Sequence, residues 1–198
     1  MMLGPNYGQW WNERPIYKRL RQILIILPVI LILLLALYQY NRVHLLAGIR
    51  DAVERGSMED IQVLIMEGAP ADTRHKNGAS LLHRAIELGH IKVVSLLVKE
   101  GADVDAIDNR GITPIHLAAG ERNTKIVKLL IKSGADPDIE SERYGFPLHW
   151  AANSGQIEIA GLLLGAGASV DSQDRWGRTP LHYAIYLGYT NFAKFLLV

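Results

Sequence analysis

Apolar and polar positions follow two different rules along this chain, and the rule changes near residue 45. From Ile23 to Leu37 all 15 residues are apolar, with Pro28 among them. Tyr38 and Tyr40 extend the run into an interfacial zone. A helix rises about 1.5 Å per residue and a bilayer core takes roughly 20 residues. The stretch from Leu20 to Tyr40 is therefore just long enough to span one, with Arg21 free to snorkel and Pro28 tolerated in lipid. Past residue 45 the apolar residues come instead in short groups at helical spacing. Ile91, Val93, Val94, Leu96 and Leu97 form one such group, and Ile126, Val127, Leu129, Leu130 and Ile131 another. That pattern predicts short helices, each burying one face.

The apolar run admits three other readings. A buried soluble helix would carry polar residues on one face, and this run carries none. A surface-lying or re-entrant segment meets the same objection. A cleaved signal peptide needs small residues before its cut, and Leu35-Ala36-Leu37-Tyr38-Gln39-Tyr40 offers a poor site. The expectation is an uncleaved signal anchor over 23–40, preceded by a basic segment, 1–22. Arg14, Lys18, Arg19 and Arg21 precede the run, and Arg42 follows it closely. The positive-inside rule then leaves the N-terminus in the cytoplasm and carries the body across, into the periplasm of a bacterium with the helix in its inner membrane. Trp10, Trp11 and Tyr17 fit headgroup-level anchors, and equally a floppy cytoplasmic tail.

The second region repeats. His83, His116, His149 and His182 follow one another at intervals of 33 residues. They end the tetrapeptides Ser80-Leu81-Leu82-His83, Thr113-Pro114-Ile115-His116, Phe146-Pro147-Leu148-His149 and Thr179-Pro180-Leu181-His182. Gly-Ala pairs at 68, 101, 134 and 167 keep the same period, as do Gly56, Gly89, Gly155 and Gly188. Three markers in one register mean a repeat architecture. Thr at an N-cap with Pro at the first helical position starts a helix, and glycine ends it where φ must be positive.

This pattern resembles the ankyrin repeat over about residues 45–198. The resemblance implies an all-α solenoid of β-turns and paired helices, here preceded by a single transmembrane helix. Five units fit, about 45–74, 75–107, 108–140, 141–173 and 174–198. The first has Arg50 where histidine is expected, as an atypical N-terminal cap can. The last ends Phe192-Ala193-Lys194-Phe195-Leu196-Leu197-Val198, apolar for a terminal unit, so it is either a bare cap or a covered one. Ser80-Leu81 lacks Thr-Pro, which weakens that helix start. Arg122 stands where glycine is expected, at a cost of up to about 1 kcal/mol if its φ is positive, unless Gly120 lets the chain turn earlier. Tyr144 displaces the turn glycine to Gly145. Only four to seven residues separate the apolar run from Leu45, too few for a flexible tether, so the apolar helix is free to run straight into the first unit.

Charge and composition then exclude more than they assign. Residues 1–45 hold five Lys/Arg and one acid, while residues 46–198 hold 16 and 19. A net-acidic body argues against nucleic acid. With no cysteine, thiolate metal sites and a Cys nucleophile are excluded. Histidines one repeat apart are separated by roughly 10 Å, too far to share a zinc ion, so they are expected to bond backbone between turns, as is His90. Asp103-Val104-Asp105 and Asp136-Pro137-Asp138 recur beside Gly-Ala and belong to the turns. There is no nucleophile elbow or phosphate loop. The expectation is a non-enzyme with no cofactor, no metal and no small-molecule substrate. An enzyme or ligand cleft among Trp150, Tyr183 and Asp174 is the competing class.

What remains is surface. The resemblance places partner contacts on a concave face built from turn tips and the exposed side of each first helix. In register these are Lys76, Asn77, Ala79, Glu87 and Leu88, then Asn109, Arg110, Ile112, Gly120 and Glu121. The fourth unit supplies Glu142, Arg143, Tyr144, Gly145, Asn153 and Ser154, and the fifth Arg175, Trp176, Arg178, Tyr186 and Leu187. Trp176 between Arg175 and Arg178, with Arg143, Tyr144 and Tyr186 nearby, combines the residue types that dominate binding hot spots. It either meets a partner or folds over its own turn; Trp150 and Tyr183 are open in the same way. The expected role is a membrane-held protein-binding module, such as a toxin-neutralising immunity protein, an accessory subunit of an envelope enzyme or an envelope scaffold. A cytoplasm-facing adaptor or host-directed effector is the alternative.

Overall fold

The computed structural model describes residues 15–197, with side chains from Gln22 onward. Trp10, Trp11 and Arg14, and the side chains of Tyr17, Lys18, Arg19 and Arg21, lie outside the described residues. The chain divides after His44 into two compact units. Ten α-helices and no strand occur among the described residues.

The first helix, α1, runs Pro15–Arg55 and contains Pro28. Its apolar side chains from Ile23 to Tyr40 are exposed, many by half or more. A helix that belonged to a soluble core would bury that surface. By length and composition it is able to cross a membrane.

From Leu45 on, the pairs alternate. Met58–Met66 is α2, Leu81–Glu87 α3, Ile91–Lys99 α4, Pro114–Gly120 α5 and Thr124–Lys132 α6. Pro147–Ser154 is α7, Ile157–Gly165 α8, Pro180–Tyr186 α9 and Thr190–Leu196 α10. First helices α3, α5, α7 and α9 pack on one another in sequence, and second helices α4, α6, α8 and α10 do the same. The core is a single cluster that follows this two-layer stack, from Ile49 and Val53 through Leu82, Ile115 and Leu148 to Phe192. No unit buries its apolar face alone; each is completed by its neighbour.

The helix starts show why histidine recurs. Thr113 N–H donates to His116 Nδ1 (3.2 Å), and the Thr113 hydroxyl meets the same nitrogen at 2.8 Å. With Nδ1 accepting, the proton sits on Nε2, which donates to a carbonyl 29 residues on. His83 reaches Ile112 O (2.9 Å), His116 reaches Gly145 O (3.1 Å) and His149 reaches Arg178 O (2.8 Å). Each buried ring thus caps its own helix and ties it to the next turn. Ser80 keeps the motif without proline: its N–H and hydroxyl both meet His83 Nδ1. Phe146 has no hydroxyl to donate, so only its backbone N–H bonds His149 Nδ1. In the first unit Arg50, at the histidine's register, reaches a different carbonyl, with Nη2 on Arg74 O at 2.7 Å.

Two departures resolve physically. Arg122 adopts φ 59°, a strained left-handed residue in the place of glycine. Gly120 does not relieve it, contrary to the expectation of an earlier turn: it stays helical in α5. Its lack of a side chain serves Trp150, whose Cε3 would lie 2.6 Å from an added Cβ. The aspartates are turn framework. Asp72, Asp105 and Asp138 accept the N–H groups of Asp103, Asp136 and Ser169 in the following unit.

At the last unit the stack lies open. Ile86, Ala119 and Ala152 are buried at one repeat position, yet Ile185 at the same position is 65% exposed. His182, unlike its three counterparts, is exposed.

Candidate functional site

Turn tips and first helices build one continuous face, and the side chains on it change character from one end to the other. The residue after each histidine is Arg84, Leu117, Trp150 and Tyr183 in successive units. One turn later on the same face the residues are Glu54, Glu87, Gly120, Asn153 and Tyr186.

In the first two units this pattern makes a charged groove lined by Arg50, Glu54, His75, Lys76, Arg84 and Glu87. Its two carboxylates are both spent on Arg84, while Arg50 turns to the Arg74 carbonyl. Arg84 forks onto both oxygens of Glu54, at 2.6 and 2.8 Å, and reaches Glu87 at 3.1 Å. The fork lowers the Glu54 carboxyl below its usual range. Arg110 closes the row, with Nη2 2.8 Å from Asp108 and 4.0 Å from Glu87.

In the fourth and fifth units the same positions make an aromatic groove of about 500 Å³. Arg143, Tyr144, Trp150, Asn153, Trp176 and Tyr183 line it, with Arg178 and His149. Trp150 stands edge-on to Tyr144 (6.0 Å between centroids) and to His116 (5.8 Å). Its indole N–H donates to Tyr144 O at 3.2 Å. Tyr183 stands edge-on to His149 at 5.5 Å. A second hollow, lined by Asn153, Arg178, His182, Tyr183, Tyr186 and Leu187, continues the groove along α7 and α9.

Asp174 holds the wall of this groove. Its Oδ1 accepts the Trp176 and Arg178 N–H groups, both at 2.9 Å. Its Oδ2 accepts Arg178 Nε at 3.0 Å and the Tyr183 hydroxyl at 2.8 Å. Burial would raise this carboxyl, but the donors prevail and hold it at about 2. Tyr183 is pushed up to about 12 by burial and by its bond to Asp174. Trp150 and Tyr183 thus share the groove, and Tyr183 is tied to Asp174, whose carboxylate is saturated with donors. The guanidinium of Arg178 lies 4.4 Å from the Trp176 ring and 4.7 Å from Tyr183.

Among the expected contact residues, Lys76 and Asn77 fall in the charged groove, and Arg143, Tyr144, Asn153, Trp176 and Arg178 in the aromatic one. Tyr186, 88% exposed, closes the continuing hollow. Arg175 stacks on Trp176 at 5.1 Å, and Arg143 on Tyr144 at 5.5 Å. Asn109 is occupied in joining turns, with its N–H on Asn77 O at 3.1 Å. Glu121 and Glu142 are exposed outside both grooves. Four residues on the face by register are not available: Ala79, Ile112, Gly145 and Ser154 are buried under the turns. Trp176 lies against Arg175 and Arg178 of its own turn, and 57% of it stays exposed. The missed signal was the change at the position after each histidine, from Arg84 to Trp150 and Tyr183.

Residues 49–141 match a family model described as ankyrin repeats (3 copies), and residues 148–197 one described as ankyrin repeats (many copies). No curated protein matches the chain.

Proposed function

Since the chain belongs to the ankyrin-repeat family, a protein-protein interaction module, we propose that it is a membrane-held docking protein that engages its partner through the aromatic groove of the fourth and fifth units. One observation carries this reading: Tyr144, Trp150, Trp176 and Tyr183 gather in one open groove, Trp176 more than half exposed and Trp150 and Tyr183 showing it the sides that do not pack on the core. Aromatic and arginine side chains in a partly enclosed groove are the anchors from which interfaces draw most of their energy.

The apolar segment of α1 is the anchor. Its exposed run matches the thickness of a bilayer core, and the basic residues before it favour a cytoplasmic N-terminus and a periplasmic solenoid. Neutralising an incoming toxin, supporting an envelope enzyme and scaffolding the envelope are all tasks for such an arrangement.

Two experiments test the proposal. Alkaline phosphatase fused after Val198 should be active, and a fluorescent protein at the same place dark; the reverse outcome places the solenoid in the cytoplasm. A photocrosslinker at position 176 of the full-length chain should trap one discrete partner in intact cells. Trapping from position 76 but not from 176 would move the docking site to the charged groove and sink this assignment.

A further inference from the structure

The reading of the aromatic groove as the docking site leaves the chemistry of its occupant open, and on that reading the groove's hydrogen-bonding inventory narrows it. Every acceptor of Asp174 is filled, Trp150 has given its indole N–H to Tyr144 O, and Arg178 is held by Asp174 and by the Tyr183 hydroxyl at 2.6 Å. Among the described residues, two side chains that line the groove, Arg143 and Asn153, and one beside it against Trp176, Arg175, keep unspent polar capacity. Arg143 and Arg175 form no ion pair and lie only over their neighbouring rings, and the Asn153 amide makes no hydrogen bond. No carboxylate lines the groove. The charged groove differs on this point: its two carboxylates, Glu54 and Glu87, are both bound to Arg84.

We infer that the occupant is an extended acidic segment of a protein, with carboxylates flanking one bulky apolar side chain. The apolar side chain seats among Trp150, Trp176 and Tyr144, whose exposed faces need an apolar or aromatic filler. Carboxylates take the guanidiniums of Arg143 and Arg175, whose planar forks match them in pairs of parallel bonds. The Asn153 amide is placed to meet peptide backbone. Geometry sets the spacing. The two arginines stand on the turn tips of adjacent units, and neighbouring units stack about 8–10 Å apart. A strand advances about 3.3 Å per residue, so the carboxylates stand two to three residues apart with the apolar residue between them. Single-stranded nucleic acid also uses aromatic stacking and arginine, but the surrounding domain is net acidic, with 19 acids against 16 Lys/Arg over residues 46–198.

The test uses the full-length protein in detergent and fluorescent 12-residue peptides read by anisotropy. One peptide carries a Glu-Gly-Phe-Glu core, a second has Gln for both Glu, a third has Lys, and a 12-nucleotide oligothymidylate is the fourth probe. The Glu peptide should bind at least about tenfold tighter than the Gln peptide, and more weakly as salt rises. Arg143→Ser and Arg175→Ser should each weaken it about fivefold, with Lys at either position restoring part of the loss. Lys76→Ala should change nothing. No binding of the Glu peptide at low salt, equal binding of the Gln peptide, or tighter binding of oligothymidylate would each overturn the inference. If position 176 still crosslinks a partner after such a result, the docking reading stands and only the acidic chemistry is lost; if it traps nothing, both fall.

Discussion

The two ends of the proposed docking face occupy the same positions of the same repeat, yet at one an arginine and two glutamates are paired with one another and at the other the aromatic side chains are left open. At the position after the histidine the second unit has Arg84, while the fourth and fifth have Trp150 and Tyr183. At the next position on that face Glu54 and Glu87 give way to Asn153 and Tyr186. Arg84 and the two glutamates satisfy one another, so a partner meeting them would have to break ion pairs to gain contacts. Aromatic rings do not satisfy one another in this way; they leave surface that water covers poorly. The lesson is that a repeat scaffold fixes where side chains stand, and the balance of their mutual satisfaction decides which end is available.

Acid should erase the contrast altogether. Burial lowers His116 from 6.5 to about 4, and lowers His83 and His149 as well. These rings are neutral in the fold, and the unfolded chain takes up their protons first. Their stabilisation is therefore complete above pH 6.5 and drains away as pH falls toward 4, by about 3 kcal/mol from His116 alone. Urea unfolding from pH 7.5 to 4.5 checks this; a flat profile would mean the histidine bonds do not hold the units together.

At neutral pH, Trp176→Ala should weaken partner retention about thirtyfold, a loss of about 2 kcal/mol. Its exposure means that the melting temperature should barely move. Equal loss from Lys76→Ala would break the comparison, because it would make the charged groove an equal contributor.

Asp174→Asn tests whether the open groove is held in shape. Losing the charge-assisted bonds from two N–H groups, Arg178 and Tyr183 should cost about 1.5 kcal/mol in unfolding experiments. The carboxyl sits at about 2, below its ordinary 3.8, so its contribution is full above pH 3.8 and lost as pH falls toward 2. A variant with unchanged stability would show that the aromatic wall needs no anchor.

The smallest effect belongs to the other groove. Arg84→Ala removes a partly exposed ion pair and should cost no more than about 1 kcal/mol, reduced further in high salt, with no change in partner binding. Binding that improves on this change would mean the charged groove is a competing site masked by its own arginine.

Period, helix starts and helix ends were legible in the sequence because they are local. Thr-Pro sets a helix start within a few residues, glycine supplies positive φ at its end, and the interval of 33 residues repeats both. Arg122 in glycine's place, with a left-handed backbone, could be read in the same way. The apolar run at 23–37 is equally local, since a membrane-length helix is a matter of composition and count. Side-chain partnership is not local. That Gly120 makes room for Trp150, that Asp174 gathers Arg178 and Tyr183, and that Arg84 meets Glu54 from the preceding unit all depend on how closely neighbouring units approach. Sequence register placed Ala79 and Ile112 on the face along with Lys76 and Arg143. Only the packed stack, in which each turn covers part of the next, decided which of them water can reach.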